Sequence, residues 1–437
     1  MVRIRKTLLI VEGTLLLAAI LAARTEAPPE LSGRVFDGTT HKPVEGAWIT
    51  SGEESTRTNG EGRFALYGKG EWIGVRAAGY SRLRIAACPK MEIALSRFHV
   101  RGLYLSFWAV GSPLLRNGVL DAAAKARLNT LVIDLKGDRG LISHPTHSAL
   151  AIQSGANRTV TIRDPAALLK DLHGRGLYLI ARIVVFKDDP LARSRPDLAV
   201  KTANGKPFVD REGLRWTDPF NRTVWNYNAE LAIEAAQEGF DEIQFDYVRF
   251  PDKKGLQFSK PNTEKNRREA IVAFLDEARK RLTSYNVFVS ADNFGYVCWN
   301  LDDTGIGQCF ADIGPVVDYI SPMLYPSSFQ FGIPGLRNPL NDPYRIVFAS
   351  LRRAQERTGF SPLVFRPWLQ AFNDYAFDHR KFGKAQLRAQ IKAAQDAGAE
   401  GWLLWDPRNR YPADALAELA REFGWTDAPL ATFPVAK

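Results

Sequence analysis

Two different periods of hydrophobicity divide the chain. Between residues 31 and 97, short apolar runs such as Gly33-Arg34-Val35-Phe36, Ala47-Trp48-Ile49 and Arg63-Phe64-Ala65-Leu66 alternate with polar and turn residues. Asn59-Gly60 between two such runs marks a tight turn. This stretch predicts a small all-β module. From Arg101 onward the pattern changes to apolar strand-length runs at 102–107, 130–135, 178–185, 242–248, 287–291, 319–323, 363–367 and 401–405. Between them lie stretches, among them 228–238, 266–281, 346–358 and 384–397, whose apolar residues recur at three- and four-residue steps and so predict amphipathic helices. Eight strand–helix units in series, with no second cluster of strands, predict a closed (β/α)8 barrel over 98–425. A dinucleotide fold is disfavoured because no Gly-rich phosphate turn follows the first strand.

Length agrees with this division, since 437 residues accommodate one barrel and one small module. The formal charge is +10, but no dense Lys/Arg run or nucleic-acid motif accompanies it, so a mildly basic surface is expected and nucleic acid is not an expected partner. Arg3, Arg5 and Lys6 precede an apolar stretch from Thr14 to Ala23, and small residues follow near Ala27. Residues 1–27 are therefore expected to be an export signal, placing the protein in the periplasm or outside the cell, or anchored at its N-terminus if the signal stays uncleaved. No stable membrane insertion is expected after cleavage. Three cysteines are too few for a disulfide scaffold, although Cys298 and Cys309 flank one loop and could pair in an oxidising compartment.

In a barrel of this kind the chemistry belongs at the C-terminal ends of the strands. Period-two alternation on the fourth strand sets Glu242, Gln244 and Asp246 on one face, and Ile243, Phe245 and Tyr247 on the other. The apolar set suits packing against helices, so the polar set points into the barrel, with Asp246 nearest the open end. A buried carboxylate is costly unless it is paired or serves a site. Glycosidic cleavage needs a second carboxyl group, and Asp292 ends the adjacent strand, with Asp134, Asp188 and Asp406 as rivals. Tyr247, Phe294, Tyr325, Trp368 and Trp405 gather at the same strand ends as candidate sugar-stacking rings, and Arg249, Arg366 and Gln370 as donors to sugar hydroxyls or acidic substituents. No GxSxG elbow or metal-ligand set stands out, so no cofactor or metal is expected.

Two resemblances sharpen these expectations. GRVFDGTTHKPVEGAWI, TRTNGEGRFAL and VRAAGYSR resemble the carboxypeptidase-regulatory-like β-sandwich, which implies a non-catalytic module over 31–97. FDEIQFDYVRFP, with RGLYLS, NTLVIDLKGDRG, YLIARIVVFKDDPLA, GIGQ, VDYISPMLYPSSF and RPWLQAF in order, resembles the bacterial "putative glycosyl hydrolase" (β/α)8-barrel family over residues 100–410. That resemblance implies a relative of amylase-type hydrolases, with Asp246 as nucleophile and Asp292 as proton donor. The chain departs from the amylase pattern at three points: Gln244 stands where an Arg is usual, Asp292 where the donor is normally Glu, and FRPWLQAF offers no counterpart to the stabilising Asp after strand seven. The expectation is an exported glycoside hydrolase acting on a cell-wall or extracellular polysaccharide, with Asp246 and Asp292 catalytic. Asp134, Tyr247, Arg249, Phe294, Tyr325, Arg366, Trp368, Gln370, Trp405 and Asp406 are the expected substrate-binding residues. The alternative is a barrel that binds carbohydrate without cleaving it.

Overall fold

The computed structural model describes residues 31–67, 70–399 and 401–426; the expected export signal, residues 1–27, lies outside them. The first seven strands are β1 (Leu31–Asp37), β2 (Trp48–Ser51), β3 (Glu54–Arg57), β4 (Arg63–Leu66), β5 (Trp72–Arg76), β6 (Leu83–Ala86) and β7 (Lys90–Leu95). They form two sheets, β4-β1-β7 and β3-β2-β5-β6, in which every pairing is antiparallel except β1 with β7. Alternate residues of both sheets, among them Val35, Ile49, Ile73, Val75 and Leu95, fill a shared core, which makes the module a β-sandwich. The Asn59-Gly60 turn is present, but its left-handed residue is Gly62 (φ 73°). Asn59 holds that turn by accepting the amides of Glu61 and Arg63 on Oδ1. A Cβ on Gly62 would come 2.3 Å from the Val35 carbonyl oxygen, so the glycine is needed for space as well as for φ.

The remaining strands are β8 (Val100–Leu105), β9 (Thr130–Lys136), β10 (Tyr178–Val184), β11 (Glu242–Asp246), β12 (Phe288–Phe294), β13 (Tyr319–Met323), β14 (Trp368–Gln370) and β15 (Gly401–Trp405). All pair in parallel, and β15 closes on β8 through Gly401↔Val100 to complete an eight-stranded barrel. Helices follow the strands and bury their apolar stripes against the outer face, where Ile243, Phe245, Val289 and Ala291 meet them. Their ends follow from local chemistry. The helix Arg222–Glu238 starts at Asn221, whose side chain caps the Thr223 amide, and stops at left-handed Gly239; the helix Pro343–Thr358 starts with Asp342 and a first-turn proline and stops at Gly359.

Six barrel strands differ from their expected bounds: β8 lies two residues earlier, β9 ends one residue later and β10 one earlier, and the seventh, fourth and fifth also shift. The seventh begins at Trp368, five residues later than its apolar run, because Pro362 opens a short 3-10 turn at Pro362–Val364 and Pro367 has no amide to donate to a ladder. The fourth stops at Asp246 because Tyr247 is left-handed (φ 47°), and the fifth runs on to Phe294.

The sandwich sits against the N-terminal ends of the barrel strands. Arg82 pairs with Asp241 at 2.7 Å, Arg76 with Asp318 at 3.5 Å, and the Gly79 amide donates to the Tyr319 hydroxyl at 3.0 Å. Asp241, Asp318 and Tyr319 stand at the starts of β11 and β13, so this end is covered and the C-terminal ends are left open. Inside the covered end, Phe98, Tyr178, Phe288 and Tyr319 make a floor of rings. No helix of the described residues is long and apolar enough to cross a membrane. Cys88, Cys298 and Cys309 are free thiols, so the pairing that their spacing allowed is not made.

Asp318 accepts from both Arg76 and the Val289 amide, and Arg76 is 2 % exposed. Asp318→Ala would strand a buried guanidinium and should cost about 3–5 kcal/mol. A lower urea midpoint for the variant is the expected result; an unchanged midpoint would show that the junction contributes nothing to stability.

Candidate active site

Three layers of side chains fill the barrel. Above the floor of rings lies a polar band in which Glu242 accepts from Arg366 (2.6 Å), from the Tyr178 hydroxyl (2.9 Å) and from Ser290 (2.5 Å), and in which Gln244 donates to Ser321. The uppermost layer, at the open end, is organised by Arg182 of β10. Its guanidinium reaches Asp134 at 2.6 Å, Asp138 at 2.7 Å and Asp246 at 2.6 and 2.9 Å, and its Nε lies 3.9 Å from Asp292 Oδ2. Below and beside it, Tyr104 donates to Asp134 at 2.6 Å and stacks on Trp405 with centroids 3.8 Å apart, while Arg182 lies over the Trp405 ring at 4.9 Å.

Four strands supply this cluster. Arg182 is the register partner of both Asp134 on β9 and Gln244 on β11. The guanidinium that the amylase pattern places at position 244 therefore comes from the neighbouring strand. A β-bulge on β9 just after Asp134 turns Lys136 out of the barrel, where it pairs with Asp188 at 2.6 Å. Asp188 also caps the helix Asp189–Ser194 and so stays outside the site. The left-handed turn at Tyr247 swings its amide onto Asp246 Oδ1 at 2.5 Å, which fixes the carboxylate's orientation.

Asp246 and Asp292 occupy different electrostatic surroundings. Asp246 receives two N–H groups from Arg182 and one from Tyr247, donors that suit a carboxylate. Burial, reinforced by the Asp246 charge, pushes the Asp292 carboxyl well above the usual carboxylate range, against the opposing pull of Arg182 and of the Trp368 Nε1–H at 2.7 Å from Oδ1. Burial likewise raises Asp134, to about 6, with Arg182 and Tyr104 restraining the shift. The Tyr325 phenol is raised first by burial and then by Asp292 and Asp246, which sets it near both acids.

Asp134, Asp246, Asp292, Trp368 and Trp405 are thus brought into one layer, with Tyr325 beside it. Tyr247 and Arg249 form a wall next to Asp246, and half-buried Phe294 closes β12 against Tyr296. Asp406 holds a turn, accepting the Arg408 amide at 2.8 Å, and burial raises its carboxyl. Two expected sugar contacts lie elsewhere. Arg366 belongs to the polar band near the floor, fully buried on Glu242, because it precedes β14 and so enters the barrel low. Gln370 is spent on the loop after β13, donating to Ser327 and Phe372 and accepting the Ser327 amide. Arg182, Tyr104 and Asp138 were missed by sequence reasoning. For Arg182 a signal existed: a single arginine inside the buried run YLIARIV. Among the described residues no three His, Cys, Asp or Glu side chains are grouped to hold a metal ion; the acids converge on Arg182.

The model of the family described as "Putative glycosyl hydrolase domain" matches residues 102–411, the whole barrel from β8 to the turn after β15. The chain belongs to this family. No curated protein matches it. Among solved structures, this glycosyl hydrolase-like barrel is similar to the PgaB (BpsB) glycoside hydrolase domain from Bordetella bronchiseptica, at 16% identity over 74% of this chain and 99% of that one, with a TM-score of 0.54. It is also similar to an alpha-L-fucosidase isoenzyme 2 from Paenibacillus thiaminolyticus, at 16% identity over 75% of this chain and 49% of that one, with a TM-score of 0.51. A hypothetical protein from Ruminiclostridium thermocellum is 39% identical over 44% of this chain and 96% of its own, with a TM-score of 0.39. The first two likenesses concern the fold.

Replacing Arg182 by Met should destabilise the barrel by about 3–5 kcal/mol at neutral pH, because buried carboxylates lose their counter-ion. Arg182 holds down the raised Asp292 and Asp134 carboxyls, so without it these rise further, and the loss is full at high pH and shrinks as pH falls through the raised values. Melting temperatures of wild type and variant should therefore converge between pH 8 and pH 5; a pH-independent gap would contradict the assignment.

Proposed function

We propose that the barrel hydrolyses glycosidic bonds in a cell-wall or extracellular polysaccharide after export, with Asp292 as proton donor and Asp246 as nucleophile. The observation that carries this reading is the contrast between the two carboxyls around one shared cation. Asp292 is driven toward its protonated form, whereas Asp246 is held by donors that favour a negative charge. With Oδ1 committed to Trp368, the Asp292 proton sits on Oδ2, which faces Asp246 and Arg182. Asp292 then protonates the leaving glycosidic oxygen, and the Asp246 carboxylate attacks the anomeric carbon from the opposite face. Water deprotonated by Asp292 releases the sugar.

Geometry favours direct attack over a water-mediated inversion. Both Oδ2 atoms lie on Arg182 Nε, at 2.9 and 3.9 Å, so they are within about 7 Å of each other, a span that admits the ~5–5.5 Å of retaining enzymes and only the short end of the ~6.5–9.5 Å of inverting ones. Trp405 is half-buried, with Tyr104 stacked on it and Arg182 over its ring, so it lines the site at the level of the acids. Farther out, Trp108, Phe331 and Tyr375 follow β8, β13 and β14 and are 57%, 90% and 55% exposed, an array that suits a polymer better than a disaccharide. A barrel that only bound carbohydrate would have no use for a buried acid pushed toward its neutral form beside a second, well-donated carboxyl.

Asp246→Asn should reduce turnover to below roughly 10⁻³ of wild type, and Asp292→Asn should cost ~10²–10⁴-fold on natural linkages but much less on aryl glycosides whose leaving group needs no proton. Because the Asp292 carboxyl is raised, the wild-type rate should be flat below its pKa and fall as pH rises through it, and the Asn variant should lack that alkaline limb. Proton NMR of the first-formed product should show the anomer of the substrate. Full activity in Asp246→Asn would overturn the nucleophile assignment, and an inverted first product would overturn the direct-attack route.

A further inference from the structure

The wall beside Asp246 carries a cation that the hydrolytic mechanism does not use. Arg249 lies three residues beyond Asp246 and is half-buried. Its guanidinium carbon stands 4.9 Å from the centre of the Trp216 ring and 5.1 Å from that of Tyr247, in the corner that these two rings make at 62°. Trp216 is itself fixed by its Nε1–H to Asp210 at 3.0 Å. One guanidinium nitrogen, Nη1, donates to the Phe250 carbonyl at 3.0 Å, and among the described residues no carboxylate pairs with the group. Its neighbour on the same wall is treated differently: Lys187, buried against the same ring with its Nζ 4.8 Å from the ring centre, pairs with Glu212 at 2.9 Å and faces Asp210 at 3.7 Å. Carboxylates are therefore placed on this wall, yet none is placed on Arg249.

The Tyr247 phenol reports where Arg249 stands. Burial, then Asp138 and Asp246, raise that phenol, while Arg249 and Arg182 pull it down, so the Arg249 charge is felt at the same ring as that of Asp246. A guanidinium packed on two rings keeps its plane and loses little freedom when it binds, and its free edge presents paired N–H groups suited to a planar or tetrahedral anion. Arg139, Arg408 and Arg410, exposed on the turns after β9 and β15, add positive charge to the same rim.

We infer that Arg249 is the receptor for an anionic substituent of the glycan, a carboxylate or a phosphate or sulfate ester, carried by the sugar bound next to Asp246. This inference rests on the hydrolytic reading for its site but not for its test. The arginine's orientation comes from Trp216 and Tyr247, and the anion of the substrate supplies the partner that the chain withholds. A neutral glycan would leave the half-buried cation uncompensated in the closed complex, so the preference follows from desolvation as well as attraction.

The test is a glycan array carrying uronic-acid, phosphorylated and sulfated glycans beside their neutral counterparts, probed with the full chain as Asp246→Asn, which binds without cleaving. The expected result is a bound set dominated by one of the anionic classes, with signal that falls as salt is raised and drops at least ~10-fold when Arg249→Gln is added. Should that double variant fail to fold, Arg249→Lys, which keeps the charge but not the paired donors, should lose part of the same signal. A bound set of neutral glycans, anionic binding that survives Arg249→Gln or Arg249→Lys undiminished, or no glycan binding at all would overturn the inference. Hydrolysis is read separately with the wild-type chain: cleavage of neutral glycans alone would sink the anion receptor and leave the proposed mechanism standing.

Discussion

Arg182 lies 1 % exposed at the open end of the barrel, ion-paired with Asp134, Asp138 and Asp246 and within 3.9 Å of Asp292. A single buried cation among four aspartates leaves excess negative charge, and low dielectric makes that excess expensive. Burial works against the guanidinium's own charge, but the surrounding carboxylates outweigh it and bind its proton more tightly than usual. Burial and that imbalance push the Asp292 and Asp134 carboxyls up, and Asp292 has only the Trp368 Nε1–H within hydrogen-bond distance to oppose the shift. The different surroundings of Asp246 and Asp292 thus follow in part from how one guanidinium divides its N–H groups.

That constraint explains the architecture around it. Strands β9, β10, β11 and β12 must hold their register to within one residue, since a slip would turn Asp134, Arg182, Asp246 or Asp292 to the helix-facing side. The layers below stabilise that register: Glu242 with Arg366, Tyr178 and Ser290 ties four strands together beneath the site, and the rings of Phe98, Tyr178, Phe288 and Tyr319 close the floor. Farther down, the sandwich covers the strand starts through Arg76, Arg82 and Gly79. One end of the barrel is devoted to stability, and the other, with its acids, half-buried Trp405 and exposed rings, is open for a ligand.

Backbone strain is concentrated at the same place. Tyr247 adopts a left-handed conformation without being glycine, and the turn it makes both ends β11 and delivers an amide to Asp246. It also sets the Tyr247 ring against both Lys187 and Arg249, so Asp246 and the wall beside it share one backbone feature.

The barrel and the inward face of β11 were legible in the sequence, because both rest on local periodicity. Alternation along FDEIQFDYVRFP is enough to send Asp246 inward and Phe245 outward, and the three- and four-residue steps of the helices depend on nothing distant. Height inside the barrel is another matter. Arg182 and Arg366 are each a lone arginine in or beside an apolar strand run, and no local pattern ranks them. Arg182 rises to the uppermost layer among the aspartates, and Arg366, ahead of a strand delayed by two prolines, stays near the floor on Glu242. The sequence by itself determined which side chains face the interior. Only the closure of the barrel, with its strand stagger and the bulge after Asp134, decided which of them meet, because partners across parallel strands are set by register between segments about 30 to 60 residues apart, and about 300 where β15 meets β8.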